Sequence, residues 1–256
     1  MPLITLTTDY GTKDHYTGAL KGQLYYANKD IIIVDINHEI TPYEIIPAAF
    51  TMKNATAKFP KGTIHIAIIN IRDGNSRYLI VKRKEIFYIV PDNGLICMMF
   101  PDEDFLAYAY QDLAKDFSYN ELHEALGIMI KAISENNIEE ISVPITSYKV
   151  LNFAQPFVSG DVYKGSVIYI DNYKNIITNI TKEDFYNYVQ DKPFIISIRH
   201  NKIFKISKHY SEVDEGEALA LFNDNDYLEI AVNKSSASGL LGLHYGQVVL
   251  VEHQLI

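Results

Sequence analysis

Apolar residues follow two alternating rhythms along the first half of the chain. Leu3–Thr8 is a short run of apolar and β-branched residues that reads as a buried strand, and Tyr16–Ala27 then places apolar side chains at helical spacing. Ile31–Ile36 returns to a β-branched run. Ile45–Lys58 is helical in pattern and stops ahead of Pro60, where a helix cannot continue. Ile64–Ile69, Tyr78–Val81 and Ile86–Val90 read as three further strands, closed by the turn Pro91-Asp-Asn-Gly94, whose glycine supplies a positive φ. Glu121–Glu135 is the last strong helix, with Leu122, Leu126, Ile130 and Ile133 on one face. Strands alternating with helices predict an α/β domain built on a mostly parallel sheet with flanking helices.

Beyond about residue 150 the rhythm changes to short β-branched and aromatic runs. These are Val167–Ile170, Ile176–Ile180, Phe194–Arg199, Ala218–Phe222, Leu228–Val232 and Val248–Val251, separated by Asn, Asp, Gly and Ser. That texture predicts an all-β, barrel-like or sandwich domain. The expected organisation is an α/β domain over 1–150, a linker over 151–159 containing Pro156, and a β-barrel domain over 160–256.

Composition narrows the function classes. Hydrophobic residues at 48% and charged residues at 21% give enough apolar mass for a core and exclude a disordered or coiled-coil chain. No apolar run approaches the ~18 residues that span a bilayer. The start, Met1-Pro-Leu-Ile-Thr, lacks the cationic and apolar stretches of a signal peptide. The single cysteine, Cys97, permits no internal disulfide, and its apolar neighbours in Ile96-Cys-Met-Met-Phe100 mark it as a buried structural thiol. A net charge of −9 argues against a nucleic-acid partner, and the basic cluster Lys82-Arg83-Lys84 reads as a solvated strand end. A soluble, cytoplasmic protein with no membrane partner is expected.

Candidate chemistry lies in the loops. Thr7-Thr-Asp9-Tyr-Gly11 occupies the carboxyl end of the first strand, where α/β sheets bind ligands. Asp9 can accept hydrogen bonds from a vicinal diol. Asp there more commonly caps the following helix, a role that Asp14 fits equally well. His38 beside Glu39 has no second histidine three or four residues on, so a loop hydrogen-bond network is expected in place of a metal site. Tyr43 can present its ring to a planar or cationic ligand or simply fill the core. Arg77, at the end of the polar loop beginning at Asn70, can hold a carboxylate or orient water, or pair with Asp73. Asp171 to Asn175 forms a turn in which Asn175 can meet a purine edge. No phosphate loop, dinucleotide fingerprint, zinc-protease motif or nucleophile elbow occurs.

Taken together, these loops resemble one family, the S-adenosylmethionine (SAM) hydrolases or hydroxide adenosyltransferases, relatives of the fluorinating and chlorinating enzymes. The resemblance rests on Thr8-Asp9-Tyr-Gly11 with Asp14, Asp35 to Ile45, Phe59-Pro-Lys-Gly-Thr-Ile-His65 and Pro91-Asp-Asn-Gly-Leu95. In the second half it rests on Asp171 to Asn175, Thr178-Asn-Ile180, Gly216-Glu217, Asn223 and Tyr227 to Asn233. It implies an α/β domain followed by a β-barrel and a homotrimer, with SAM bound between the first domain of one subunit and the second domain of its neighbour. The implied reaction displaces methionine from C5′ of the ribose. SAM enters as substrate or ligand, with no metal and no further cofactor.

By position, the resemblance places Asp9 on the ribose hydroxyls, Asp14 and Asp171 near the methionine ammonium, and Tyr43 over the ribose or sulfonium. Asn175, Tyr210, Val232 and Asn233 fall on the adenine side. Asn223 to Asn225 falls at the methionine carboxylate, where the family's Arg or Ser is absent, and Phe117 counts among the ligand contacts. The family handles its water with an Asp, an Arg seven residues later, and a His. Here those positions are Asn70, Arg77 and Ser118, so one of the three residues is retained. Asn70 can position water but cannot accept its proton, and Ser118 is a poor base near neutral pH. His123 is a nearby imidazole whose plainer role is a place on the helix face. The expected activity is therefore slow hydrolysis of SAM to adenosine and methionine; the alternative is an inactive SAM- or nucleoside-binding module.

Overall fold

Seven strands of the first half pair into one sheet whose two faces carry separate cores. A computed structural model describes residues 1–71, 77–101, 104–151 and 155–254, and the chain divides into two units, Met1–Asn152 and Phe153–Ile256. In the first unit the order along the chain is β1 (Leu3–Thr8), α1 (Tyr16–Ala27), β2 (Ile32–Asn37), α2 (Ile45–Thr56), β3 (Ile64–Ile68), β4 (Tyr78–Arg83) and β5 (Ile86–Pro91). It continues with α3 (Leu95–Met99), β6 (Leu106–Tyr110), α4 (Tyr119–Glu135) and β7 (Ser142–Ile145). The strand order is β2-β1-β3-β5-β4-β6-β7.

The sheet is mixed, with helices packed on its faces. β2, β1, β3 and β5 run parallel, while β4, β6 and β7 pair antiparallel. The cause is local. β4 and β5 are joined by Lys84 and Glu85, both in the left-handed region (φ 48° and 63°), and so short a turn admits only a hairpin. The basic cluster closes β4, with Lys82 and Arg83 laid over the rings of Phe87 and Phe100. β6 and β7 were not anticipated: β6 carries two alanines, and β7 contains Pro144, which an edge strand tolerates.

Side chains alternate across the sheet. Ile4, Leu6, Ile64, Ile66, Ile68, Ile80 and Ile89 pack under α1 and α4, whereas Ala67, Leu79, Val81, Tyr88 and Val90 pack under α2 and α3. Gly127 lets α4 approach α1; a Cβ there would stand 2.7 Å from the Ala27 methyl. A buried polar pair lies among the apolar side chains of β1 and β3. His65 on β3 and Thr5 opposite it on β1 are both fully buried and joined by a 2.7 Å hydrogen bond between Thr5 Oγ1 and His65 Nδ1.

The second unit contains β8 (Phe157–Ser159), β9 (Val162–Ile170), β10 (Ile176–Thr181), α5 (Lys182–Val189), β11 (Phe194–Ile198) and β12 (Asn201–Ile203). A 3₁₀ turn (Tyr210–Glu212), β13 (Ala218–Phe222), β14 (Tyr227–Val232), α6 (Ala237–Leu240) and β15 (Val248–His253) complete it. The antiparallel order is β12-β11-β15-β9-β10-β14-β13, with β8 paired to β9. Ile206, just past β12, bridges to Ala220 of β13, so the sheet curls nearly into a barrel around Val167, Ile176, Phe185, Ile196, Ile230 and Val249. β8 lies inside the segment expected to be a linker, of which residues 152–154 fall outside the described residues. α5 was missed although its signal is present: Thr181 accepts from the Asp184 amide as N-cap, and Phe185 and Val189 bury one face. Among the described residues no helix is long and apolar enough to cross a membrane.

Burial pushes the His65 imidazole down from its ordinary 6.5 to about 4. The unfolded chain therefore takes up a proton near pH 6.5 that the folded chain refuses until about pH 4. Stability from this site is complete above pH 6.5 and is lost as the pH falls toward 4, by about 3 kcal/mol. His123, also lowered by burial, adds in the same direction. Urea denaturation at pH 7 and pH 4.5 should show this loss, and a shallower pH dependence in H65L.

Candidate functional site

The carboxyl ends of β1 and β3 meet in a knot of loops centred on Asp9. Asp9 follows the last residue of β1 and donates its own amide to the Ile68 carbonyl of β3 (3.2 Å). Its Oδ2 accepts from the backbone amides of Tyr43 (3.1 Å) and Asn70 (3.0 Å). Both residues are left-handed, with φ 70° and 49°, which aims their N–H groups at one oxygen. The helix-cap role expected for Asp9 is thereby overturned, because the carboxylate turns toward the sheet's other loops and not toward α1. Asp14 does not cap either: it is exposed, and the N-cap position of α1 is His15, which makes no side-chain cap hydrogen bond.

The network expected for His38 and Glu39 is present. His38 is buried, hydrogen-bonded through Nδ1 to Thr8 Oγ1 (2.8 Å), with Nε2 3.1 Å from Asp35. Glu39 accepts from the Thr12 amide and hydroxyl, and those bonds hold its carboxyl below the usual range. Tyr43 does not fill the core; its ring is 70% exposed beside Asp9.

The three residues matched to the water site have separate partners. Asn70 belongs to the Asp9 knot. Arg77 donates from Nε to Asp92 (2.7 Å) and from Nη2 to the Ser147 carbonyl (2.6 Å), while Asp92 also accepts from the Lys149 amide. Residues 72–76, including the Asp73 considered as a partner for Arg77, lie outside the described residues. Ser118 is the N-cap of α4. Its hydroxyl accepts from the Glu121 amide and Glu121 accepts in return from the Ser118 amide, a capping box that starts the helix at Tyr119, two residues before the expected Glu121.

Phe117 packs edge-on against the buried Tyr78. His123 is buried, not on an open helix face, with Nε2 3.4 Å from the Tyr10 hydroxyl; burial lowers its pKa, so the ring is neutral near pH 7. Cys97 is half-buried and donates weakly to the Lys149 carbonyl.

In the second unit a cavity of about 670 Å³ gathers Tyr173, Asn175, Tyr210, Val232, Asn233 and Ser235. The turn between β9 and β10 shapes one wall. Asp171 does not line the cavity but grips Asn175 twice, accepting from its amide (2.8 Å) and from its side-chain Nδ2 (3.1 Å). The Val232–Ser235 turn shapes another, with Lys234 left-handed and the Asn233 Nδ2 donating to the Val213 carbonyl. Asn225 lies outside the cavity, in the exposed β13–β14 turn, its amide bonded to Asn223. Tyr173 was missed, although an aromatic residue inside an Asp/Asn turn is itself a signal. Glu229, buried in β14 and accepting from the Tyr210 hydroxyl, was also missed.

Comparison with known proteins agrees with both halves. Residues 4–124 match the SAM hydroxide adenosyltransferase N-terminal domain and residues 165–250 the C-terminal domain of the same family. A Methanocaldococcus jannaschii protein named (R)-S-adenosyl-L-methionine hydrolase is 31% identical, with 96% of this chain and 94% of that protein aligned. A Thermus thermophilus protein of the same name is 24% identical over 94% and 96%, and an Actinoplanes fluorinase 23% identical over 72% and 73%. The crystal structure of an uncharacterized conserved protein from Thermotoga maritima shares the fold, with a TM-score of 0.85, 24% identity, and 98% and 100% of the two chains covered.

D9A leaves the Tyr43 and Asn70 amides without their acceptor and should cost about 2 kcal/mol in urea denaturation, with D9N losing clearly less. S118A removes the N-cap acceptor and should lower the Tm of α4's unit by about 3 °C in a thermal melt.

Proposed function

The chain belongs to the SAM hydroxide adenosyltransferase family, and from that premise we propose that it hydrolyses SAM at C5′ to adenosine and methionine. The observation that carries this reading is the second unit's cavity, in which Tyr173 and Tyr210 supply aromatic surface for a planar base. The Asn175 Nδ2 is engaged by Asp171, so its Oδ1 is the atom left to meet an exocyclic amino donor, as adenine provides. Val232 and Asn233 border the same space. In the first unit Asp9 spends Oδ2 on the two loop amides and has Oδ1 left for a ribose hydroxyl, beside the exposed ring of Tyr43.

In the proposed reaction the oxygen of water attacks C5′ as the C5′–S bond breaks. Its electron pair neutralises the sulfonium, methionine leaves as a thioether, and one proton is released per turnover. The leaving group is already activated, so alignment of water with the C5′–S bond in a poorly hydrated pocket is the main demand, and neither a metal nor a further cofactor enters. Asn70 and Arg77 orient the water. Asn70 cannot take its proton, and Ser118 is committed to capping α4, so the reaction is slow. Asp14, Phe117, Asp171 and Asn225 contact the remainder of SAM in this reading, and the two half-sites meet across the subunits of a homotrimer.

Incubation with SAM in ¹⁸O-labelled water, followed by mass spectrometry, tests the reaction. Equal amounts of adenosine and methionine with one ¹⁸O in the adenosine are expected. SAM or adenosine retained without turnover would make the protein a binding module instead, and neither binding nor turnover would overturn the proposal. N70D combined with S118H should raise the rate by more than tenfold if the two replaced groups limit it.

A further inference from the structure

Glu229 occupies a position where the strand pattern calls for an apolar residue. Along β14, Leu228, Ile230 and Val232 point into the barrel core, while Glu229 and Ala231 point to the other face. That face is itself apolar: Leu219, Leu221 and Ala231 cluster there with Val213. Glu229 pairs in register with Leu221 on one side and Ile177 on the other and is only 4% exposed. A carboxyl group placed there loses hydration that a leucine would not need, so its presence calls for a specific partner.

Its partners are the Asn223 side chain and Tyr210, whose hydroxyl donates to Glu229 Oε1 at 2.7 Å. Tyr210 sits on a single 3₁₀ turn, Tyr210–Glu212, with its ring 44% exposed at the cavity wall. A ring on so short a turn has little packing of its own to hold it, and its hydroxyl end is tied to the buried carboxyl group. We infer that Glu229 is a positioning residue, fixing the Tyr210 ring at the cavity wall so that it is already oriented when a planar base enters. Preorganising an aromatic platform in this way removes part of the ordering cost of binding. Burial raises the pKa of Glu229 and, with Glu229 beside it, that of Tyr210, so the phenol stays a donor throughout the neutral range.

This inference rests on the proposed nucleoside occupant of the cavity, and calorimetry with adenosine and with SAM separates the two. Wild-type protein should bind; E229L and Y210F should each weaken binding about tenfold, and the double variant no further, because both remove the same tether. E229Q, which keeps an acceptor for the hydroxyl, should recover most of the affinity. The Tm of E229L should stay unchanged or rise, since an apolar side chain replaces a buried carboxyl group. Wild-type affinity in E229L or Y210F, additive losses, or a Tm that falls in step with affinity would overturn the positioning role while leaving the nucleoside reading intact. If E229L fails to fold, Y210F and E229Q decide the matter alone. Wild-type protein without affinity for adenosine or SAM would overturn the nucleoside reading, and the positioning role with it.

Discussion

The hydrogen bonds from the Tyr43 and Asn70 amides to one oxygen of Asp9 tie three loops of the first unit together. They join the end of β1 to the loops that follow β2 and β3, at the edge where parallel strands expose their carboxyl ends. Left-handed backbone at two non-glycine residues is unfavourable by itself, so both conformations depend on having that acceptor in place. Around the knot, Thr8 holds His38 and Thr12 holds Glu39, so the loops bearing the candidate ligand residues are braced by polar side chains from β1 and from the loop that follows it.

Polar groups buried among apolar strands recur in both units. His65 is matched by Thr5 at the same level of the sheet, and Glu229 by Tyr210. The two differ in what the partner does. Thr5 is fully buried, so its bond serves the interior; Tyr210 is half-exposed on a cavity, so the same kind of bond orients a surface that a ligand can touch.

Much of the fold was legible because it is written in local patterns. The strands at Leu3–Thr8 and Ala218–Phe222 and the helix Tyr16–Ala27 fall where the hydrophobic rhythm puts them. What escaped had weak or competing signals: α5 follows a strand in a stretch read as all-β, β6 has two alanines among its five residues, and the β4–β5 hairpin turns on two left-handed residues that are not glycine. The candidate residues were legible as types but not as roles. Asp9 and Ser118 are both ordinary N-cap residues in the sequence; the structure uses Ser118 as one and turns Asp9 to the loops instead.

The sequence by itself determined the class of fold, the change of texture near residue 150, the family, and the loops in which ligand chemistry is concentrated. Period-two and period-3.6 burial and turn chemistry depend on neighbours within a few residues, and motif order survives in any reading of the chain. Only the tertiary structure decided that Asp9 answers to Tyr43 and Asn70, Arg77 to Asp92, and Tyr210 to Glu229. Those partners lie between 15 and 61 residues apart, and a side chain's hydrogen bonds are chosen by whichever groups the folded sheet brings within about 3 Å of it.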